Sequence, residues 1–182
     1  MILTRTSDVN VNLSQRANIA NKENADIFIS VHCNAVTNSF AHGLETFYYP
    51  NSDTGRKLAN IILNQLILET GLKNRGTKEA NFAVLRLTTM PAVLVECGFL
   101  SNPAEEALLK QESFQKKCAL GIGKGILAYL GLDLPEKGFE NIALWAKESV
   151  KKAVQKGLVK NPELLNETEQ KIIVWFDRLN LL

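Results

Sequence analysis

Two side chains able to do acid–base or metal chemistry stand at equivalent places in this sequence. Glu96 closes the apolar run Ala92–Val95, and His32 closes a run built from Ile27, Phe28, Ile29 and Val31. A neutral imidazole is the commonest zinc ligand, and a carboxylate near it can act as general base on a metal-bound water. The plainer reading of the pair is a structural histidine and a solvated strand-end carboxylate. Around them stand secondary candidates. His42, the only other histidine, could join His32 on a metal or simply be solvated in a loop. Glu45 could serve as a substitute carboxylate ligand. Arg86 could take a substrate carboxylate in bidentate fashion or belong to a structural ion pair. Asn34, two positions beyond His32, joins Arg86 as a substrate-binding candidate.

The elements that must position these groups can be read from the pattern around them. Both runs are short, continuous and apolar, which predicts strands buried on both faces. Beyond Glu96 come Gly98 and then Asn102-Pro103 with Glu105 and Glu106, the composition of a helix start. A strand that delivers an acid to its carboxyl end, then a loop and a helix, is how open α/β sheets build sites. Met1 to Arg5 reads as the last part of a strand. Asn12 and Gln15 form a capping box for a helix to about Asn24. Gly43–Tyr49 reads as a further strand, Asp53 to about Thr70 as a helix, and residues 72–82 as a polar, basic loop. That loop is either solvated or a rim that touches an anionic peptide.

Helices are expected from Pro103 to about Lys110 and from about Ser113 to Leu130. The second contains Gly121, Gly123 and Gly125, poor helix formers that fit only if the backbone packs closely against the sheet. Leu132–Gly138 reads as a linker. Two helices follow: Ile142 to about Lys156, with Trp145, Val150 and Val154 on one apolar face, and Glu167 to about Leu179, with Ile172, Trp175, Phe176 and Leu179. The fold class is α/β, a mixed, mostly parallel central sheet with helices on both faces and a small C-terminal helical tail.

Composition narrows the function classes. The 182 residues are 46% hydrophobic and 22% charged, with a net charge of +2. These are values of an ordinary globular chain. A charge this small and dispersed argues against a nucleic-acid partner. No stretch approaches the ~18 apolar residues of a membrane span, and the start shows no signal peptide, so synthesis in the cytoplasm is expected. The three cysteines make no disulfide framework. Cys33 and Cys97, adjacent to His32 and Glu96, should face away from them as small buried hydrophobes. Cys118 has no evident partner.

Several words together resemble a known family. They are Leu3-Thr-Arg5, Leu13 with Arg16 and Ile19-Ala-Asn21, Ile29-Ser-Val-His-Cys-Asn-Ala35, Gly43-Leu-Glu-Thr-Phe-Tyr-Tyr49, Val84-Leu-Arg86, and Met90 through Asn102. Their order and spacing, from Met1 to about Leu132, resemble the zinc-dependent N-acetylmuramoyl-L-alanine amidases of autolysins and endolysins. The resemblance implies a Zn2+ cofactor, His32 as a zinc ligand and Glu96 as catalytic acid/base. It implies peptidoglycan as substrate and the bacterial cell wall as site of action. It places no ligand at His42 and does not need Glu45 as one.

The family's other two zinc ligands lie upstream of the Leu-Thr-Arg word. The expectation is therefore an N-terminally truncated catalytic domain over 1–132, lacking its first strand and helix, then a linker over 133–138. Residues 139–182 form a small helical region faintly similar to wall-binding modules. The rival reading is a non-catalytic, truncated or internally initiated wall-binding or assembly subunit. Such a subunit could pair with full-length copies of itself, or associate through an uncovered sheet edge.

Overall fold

The computed structural model describes residues 1–132 and 141–178. The chain divides into two compact units, Met1–Leu132 and Asp133–Leu182. The first unit is a four-stranded sheet with helices on both faces. Its strands are β1 (Phe28–Asn34), β2 (Leu44–Tyr48), β3 (Asn74–Glu79) and β4 (Ala92–Phe99), in the spatial order β1-β4-β2-β3. β1 runs parallel to β4 and β3 parallel to β2, while β2 and β4 are antiparallel. The mixed sheet is thus mostly parallel.

Five helices complete this unit: α1 (Leu13–Lys22), α2 (Asp53–Thr70), α3 (Ala83–Arg86), α4 (Pro103–Leu109) and α5 (Glu112–Leu130). α1 begins with the capping box its sequence predicts, Asn12 and Gln15 each accepting the other's backbone N–H. Side chains alternate across β4, so one face receives Val93, Val95 and Cys97 and the other Ala92 and Leu94. The first set packs with Leu58, Ile62 and Leu66 of α2 and with Phe114, Cys118 and Ile122 of α5. The second set packs with Ala20, Phe28, Val84 and Leu85, which brings α1 and α3 to that face.

Four expectations are corrected here. Met1 to Arg5 is not a strand: a strand exists only through its ladder partner, and these residues pair with none of the four strands and are largely exposed. Residues 72–82 are not a loop throughout, because Asn74–Glu79 forms β3. Cys33 is exposed rather than buried, since β1 lies at the sheet edge. Cys118 does have a partner, the thiol of Cys97, with which it shares a hydrogen bond inside the core.

Gly121 and Gly125 of α5 pack against α2, not against the sheet. A Cβ on Gly121 would lie 2.7 Å from the Leu66 Cα, and one on Gly125 2.7 Å from the Ile62 Cα, whereas one on Gly123 would meet nothing. Two positions in one helix therefore respond in opposite senses. Gly125→Ala forces two helix backbones apart and lowers stability by about 1–3 kcal/mol. Gly123→Ala removes only the helix-propensity penalty and raises stability by up to ~1 kcal/mol. Thermal melts of the two variants beside the parent check both signs.

In the second unit a 3-10 turn at Leu144–Ala146 leads into α6 (Lys147–Gln155). A second such turn at Pro162–Leu164 precedes α7 (Glu167–Arg178). Its core is Ile142, Ala146, Val150, Ala153, Ile173 and Val174. Trp145, expected on the apolar face, is exposed instead, because it lies in the 3-10 turn that precedes α6. Buried Gln170 ties the unit together: it accepts from the Ala143 N–H at 2.9 Å and donates to the Asn141 and Leu165 carbonyls at 3.1 Å each. The linker expected at 133–138, the Phe139 end of the wall-binding resemblance, Leu179 and the side chains of Trp175 and Phe176 lie outside the described residues.

Candidate active site

Three strands bring three chemically capable residues into one row. His32 of β1 pairs in register with Glu96 of β4, and Glu96 in turn pairs with Glu45 of β2. Register partners point to the same face. Period-2 alternation puts Glu96 in line with Ala92 and Leu94, and His32 in line with Phe28 and Ser30. The row therefore continues the face that α1 and α3 cover at the other end of the strands. It lies in the carboxyl-terminal halves of the parallel pair β1 and β4, toward the end at which such sheets form sites.

Glu96 is half-buried, and its Oε2 atom is buried without a hydrogen-bond partner among the described residues. Burial, and after it the nearby charge of Glu45, push its carboxyl up to about 7. A carboxyl poised there can both take and give a proton near neutral pH. Glu45 behaves oppositely. It is 4% exposed. Burial alone would raise its pKa, but hydrogen bonds from Arg75 and Lys78 and their charges outweigh that and hold it below its usual value. Both cations reach the same oxygen, Oε1: the Arg75 Nε donates one bond and the Lys78 Nζ another at 2.9 Å. Two neighbouring carboxylates are thus driven apart, one fixed as an anion and one as a proton carrier.

His32 stands exposed on the edge strand, with its Nε2 2.9 Å from the Ser30 hydroxyl. Partial burial of the ring, then the positive charge of Arg16, hold its pKa below the ordinary value, so the neutral imidazole prevails at pH 7. His42 lies in the loop before β2, its Nδ1 2.8 Å from the Phe40 carbonyl. Asn34 ends β1, where its carbonyl accepts from the Leu100 N–H at 2.7 Å. Arg86 ends α3 and donates to the carbonyl and side-chain oxygens of Asn81, neither of them a carboxylate. The structure therefore brings His32, Glu96 and Glu45 into one row and leaves Arg86 hydrogen-bonded to Asn81, five residues before it in the chain.

A catalytic zinc takes three protein ligands and a water. Among the described residues no group of three or more His, Cys, Asp and Glu side chains could hold a metal ion. Glu45, a possible donor, already serves two cations, and one His32 nitrogen faces Ser30. The described residues do not make a zinc site by themselves.

One residue that shapes this site escaped the sequence reading. Glu105 is 4% exposed. Its two oxygens accept the Gly43 N–H at 2.7 Å and the Phe99 N–H at 2.8 Å, joining the entry of β2 to the exit of β4. In sequence it was only an acid in the first turn of α4.

Comparison with known proteins bears on this geometry. A family model described as N-acetylmuramoyl-L-alanine amidase matches residues 1–128. The endolysin of Bacillus phage SPP1 is 43% identical over 136 residues, covering 71% of this chain and 49% of the endolysin. N-acetylmuramoyl-L-alanine amidase LytC of Bacillus subtilis is 35% identical over 130 residues, covering 70% of this chain and 26% of that protein. The chain thus spans half or less of the length of these relatives. Among solved structures, the catalytic domain of CwlV, an N-acetylmuramoyl-L-alanine amidase from Bacillus (Paenibacillus) polymyxa var. colistinus, superposes with a TM-score of 0.69 at 42% identity. It covers 72% of this chain and 73% of that one. The N-acetylmuramoyl-L-alanine amidase of Clostridium difficile 630 gives 0.68 at 40% identity, covering 74% and 71%.

Proposed function

The chain belongs to the N-acetylmuramoyl-L-alanine amidase family, and from that premise we propose that it hydrolyses the amide joining N-acetylmuramic acid to the L-alanine of the peptidoglycan stem. The observation that carries the proposal is Glu96. It is a half-buried carboxyl with a free oxygen and a pKa of about 7, in the second half of β4 and in register with His32.

In this reaction water adds to the lactyl carbonyl and the C–N bond breaks, leaving a carboxylate on the sugar and a free amine on alanine. Ionised Glu96 takes the proton of the attacking water and passes it to the departing amine, which would otherwise leave as an unstable anion. Glu45, fixed as an anion, supports that role by disfavouring a second negative charge beside it. Neutral His32 brackets the other side of the row.

The family resemblance implies zinc, which when bound would supply Lewis-acid chemistry to the reaction. His32 is the donor that the resemblance marks for it, and the described residues offer no complete set. No helix among them is long and apolar enough to cross a membrane, and we place the site of action at the bacterial cell wall.

The test is to incubate the full chain with purified peptidoglycan, with and without added zinc, and to assay new termini. Free alanine amino groups without new reducing sugar ends are expected. New reducing ends without alanine amines would mean a glycosidase. No new termini under any condition would leave a protein that binds without cleaving.

A further inference from the structure

The charge cluster beside Glu96 is unbalanced. Glu45 offers one negative charge to two cations, Arg75 and Lys78, so one positive charge is left over. Among the described residues neither cation forms a salt bridge to Glu96, and the Glu96 Oε2 atom has no hydrogen-bond partner, so Glu45 is the carboxylate that both cations serve. Resting on the amidase reading above, we propose that Lys78 and Arg75 form the subsite that receives a carboxylate of the stem peptide, one residue beyond the alanine. The subsite would then favour acidic stems over amidated ones.

Position supports this. Lys78 pairs in register with Phe47, which shares a sheet face with Glu45 two residues earlier, so the ammonium stands on the same face as Glu96. Neighbouring strands are ~4.8 Å apart. A cation reaching Glu45 from the next strand is therefore roughly 5–10 Å from the Glu96 carboxyl. An extended peptide advances about 3.5 Å per residue, which puts a carboxylate of the second stem residue about 7 Å from the scissile bond. The two spans agree.

Availability supports it too. The Lys78 side chain is 42% exposed and that of Arg75 29%. An ammonium has three donors, of which Glu45 takes one. Both cations are propped by aromatic rings: the Arg75 guanidinium lies 4.8 Å from the Phe99 centroid and the Lys78 ammonium 6.0 Å from that of Phe47. Phe47 is in turn braced edge-on by Phe82 at 5.3 Å. Apolar walls of this kind strengthen a charge–charge contact.

The test uses the full chain carrying Glu96→Gln, so that ligand is not consumed. Its affinity for N-acetylmuramyl-L-alanyl-D-glutamate is compared with that for the same compound with both carboxyls amidated, by isothermal titration. The diacid should bind about tenfold tighter, as a charge-assisted hydrogen bond allows. Lys78→Met on the same background should reduce the preference to less than about twofold, with thermal melting used to confirm that the variant is folded.

Equal binding of the two ligands to the Glu96→Gln chain would overturn the subsite while leaving the amidase reading intact. A preference that survives Lys78→Met would overturn its assignment to this cluster. Failure of both ligands to bind would overturn the subsite together with the reading it rests on.

Discussion

Glu96→Gln lowers the rate of alanine release from peptidoglycan by about 10²–10⁴-fold, the contribution of a positioned acid/base group. The amide keeps the size of the side chain and one acceptor but can carry no proton between water and amine. The wild-type rate should also depend on pH in a definite sense. The base form of Glu96 is its carboxylate, and the group titrates at about 7. The rate therefore rises from pH 5 toward about 8. The same shift has a stability consequence of the opposite sign. A folded-state pKa raised above the unfolded value of 4.5 means the native state binds the extra proton between 4.5 and about 7. The associated stability is fully present below 4.5 and lost as pH rises through about 7. Glu96→Gln, which cannot ionise, escapes that loss and melts higher than the parent at pH 8. A variant that is slower yet more stable at pH 8 distinguishes lost chemistry from lost structure. Unchanged activity in Glu96→Gln would remove Glu96 from the mechanism altogether.

Strands β1 and β4 were legible because each begins as a continuous apolar run, but both run on past His32 and Glu96, to Asn34 and Phe99, and β1 is a partly exposed edge strand rather than one buried on both faces. What a sequence cannot carry is which strands become neighbours. Glu45 and Glu96 lie in different runs, and only the order β1-β4-β2-β3 puts them side by side. β3 was missed for a related reason: Asn74–Glu79 holds no apolar side chain and is a strand only because β2 offers it a ladder. Its importance follows from that location, since Arg75 and Lys78 reach Glu45 from it. The glycines of α5 showed that something approaches closely but not what, because a small residue marks the gap without naming its occupant. Secondary structure near the site was thus local information, whereas its electrostatics arose from pairings distant in sequence.

Glu105→Ala destabilises the first unit by about 3–5 kcal/mol, because it strands two buried N–H groups at about 1–3 kcal/mol each and removes packed volume. That is a large part of the ~5–15 kcal/mol that holds a domain together. At roughly 2–8 °C per kcal/mol in domains of about this size, melting should fall by about 6–40 °C. The carboxylate has no simple replacement. Its oxygens accept from Gly43 and Phe99, residues 62 and 6 positions away. Gln would turn an N–H group toward one of those donors, and Asp is one methylene too short to span them. The surrounding backbone is committed to this clamp. Gly43 has φ +110°, and a Cβ there would lie 2.4 Å from the Lys73 carbonyl. Gly98 has φ +137°, and a Cβ there would lie 3.3 Å from Glu105 Oε2. Both glycines flank the site, Gly98 two residues after Glu96 and Gly43 two before Glu45. Loosening the clamp should therefore slow catalysis as well, even at temperatures where Glu105→Gln remains folded, because the row of His32, Glu96 and Glu45 depends on the β2–β4 register. Hydrogen exchange at the Gly43 and Phe99 amides separates the outcomes. Fast exchange at both in a folded Glu105→Gln variant fits a clamp. Full protection in that variant would mean that other contacts hold the two strands, and that Glu105 is dispensable.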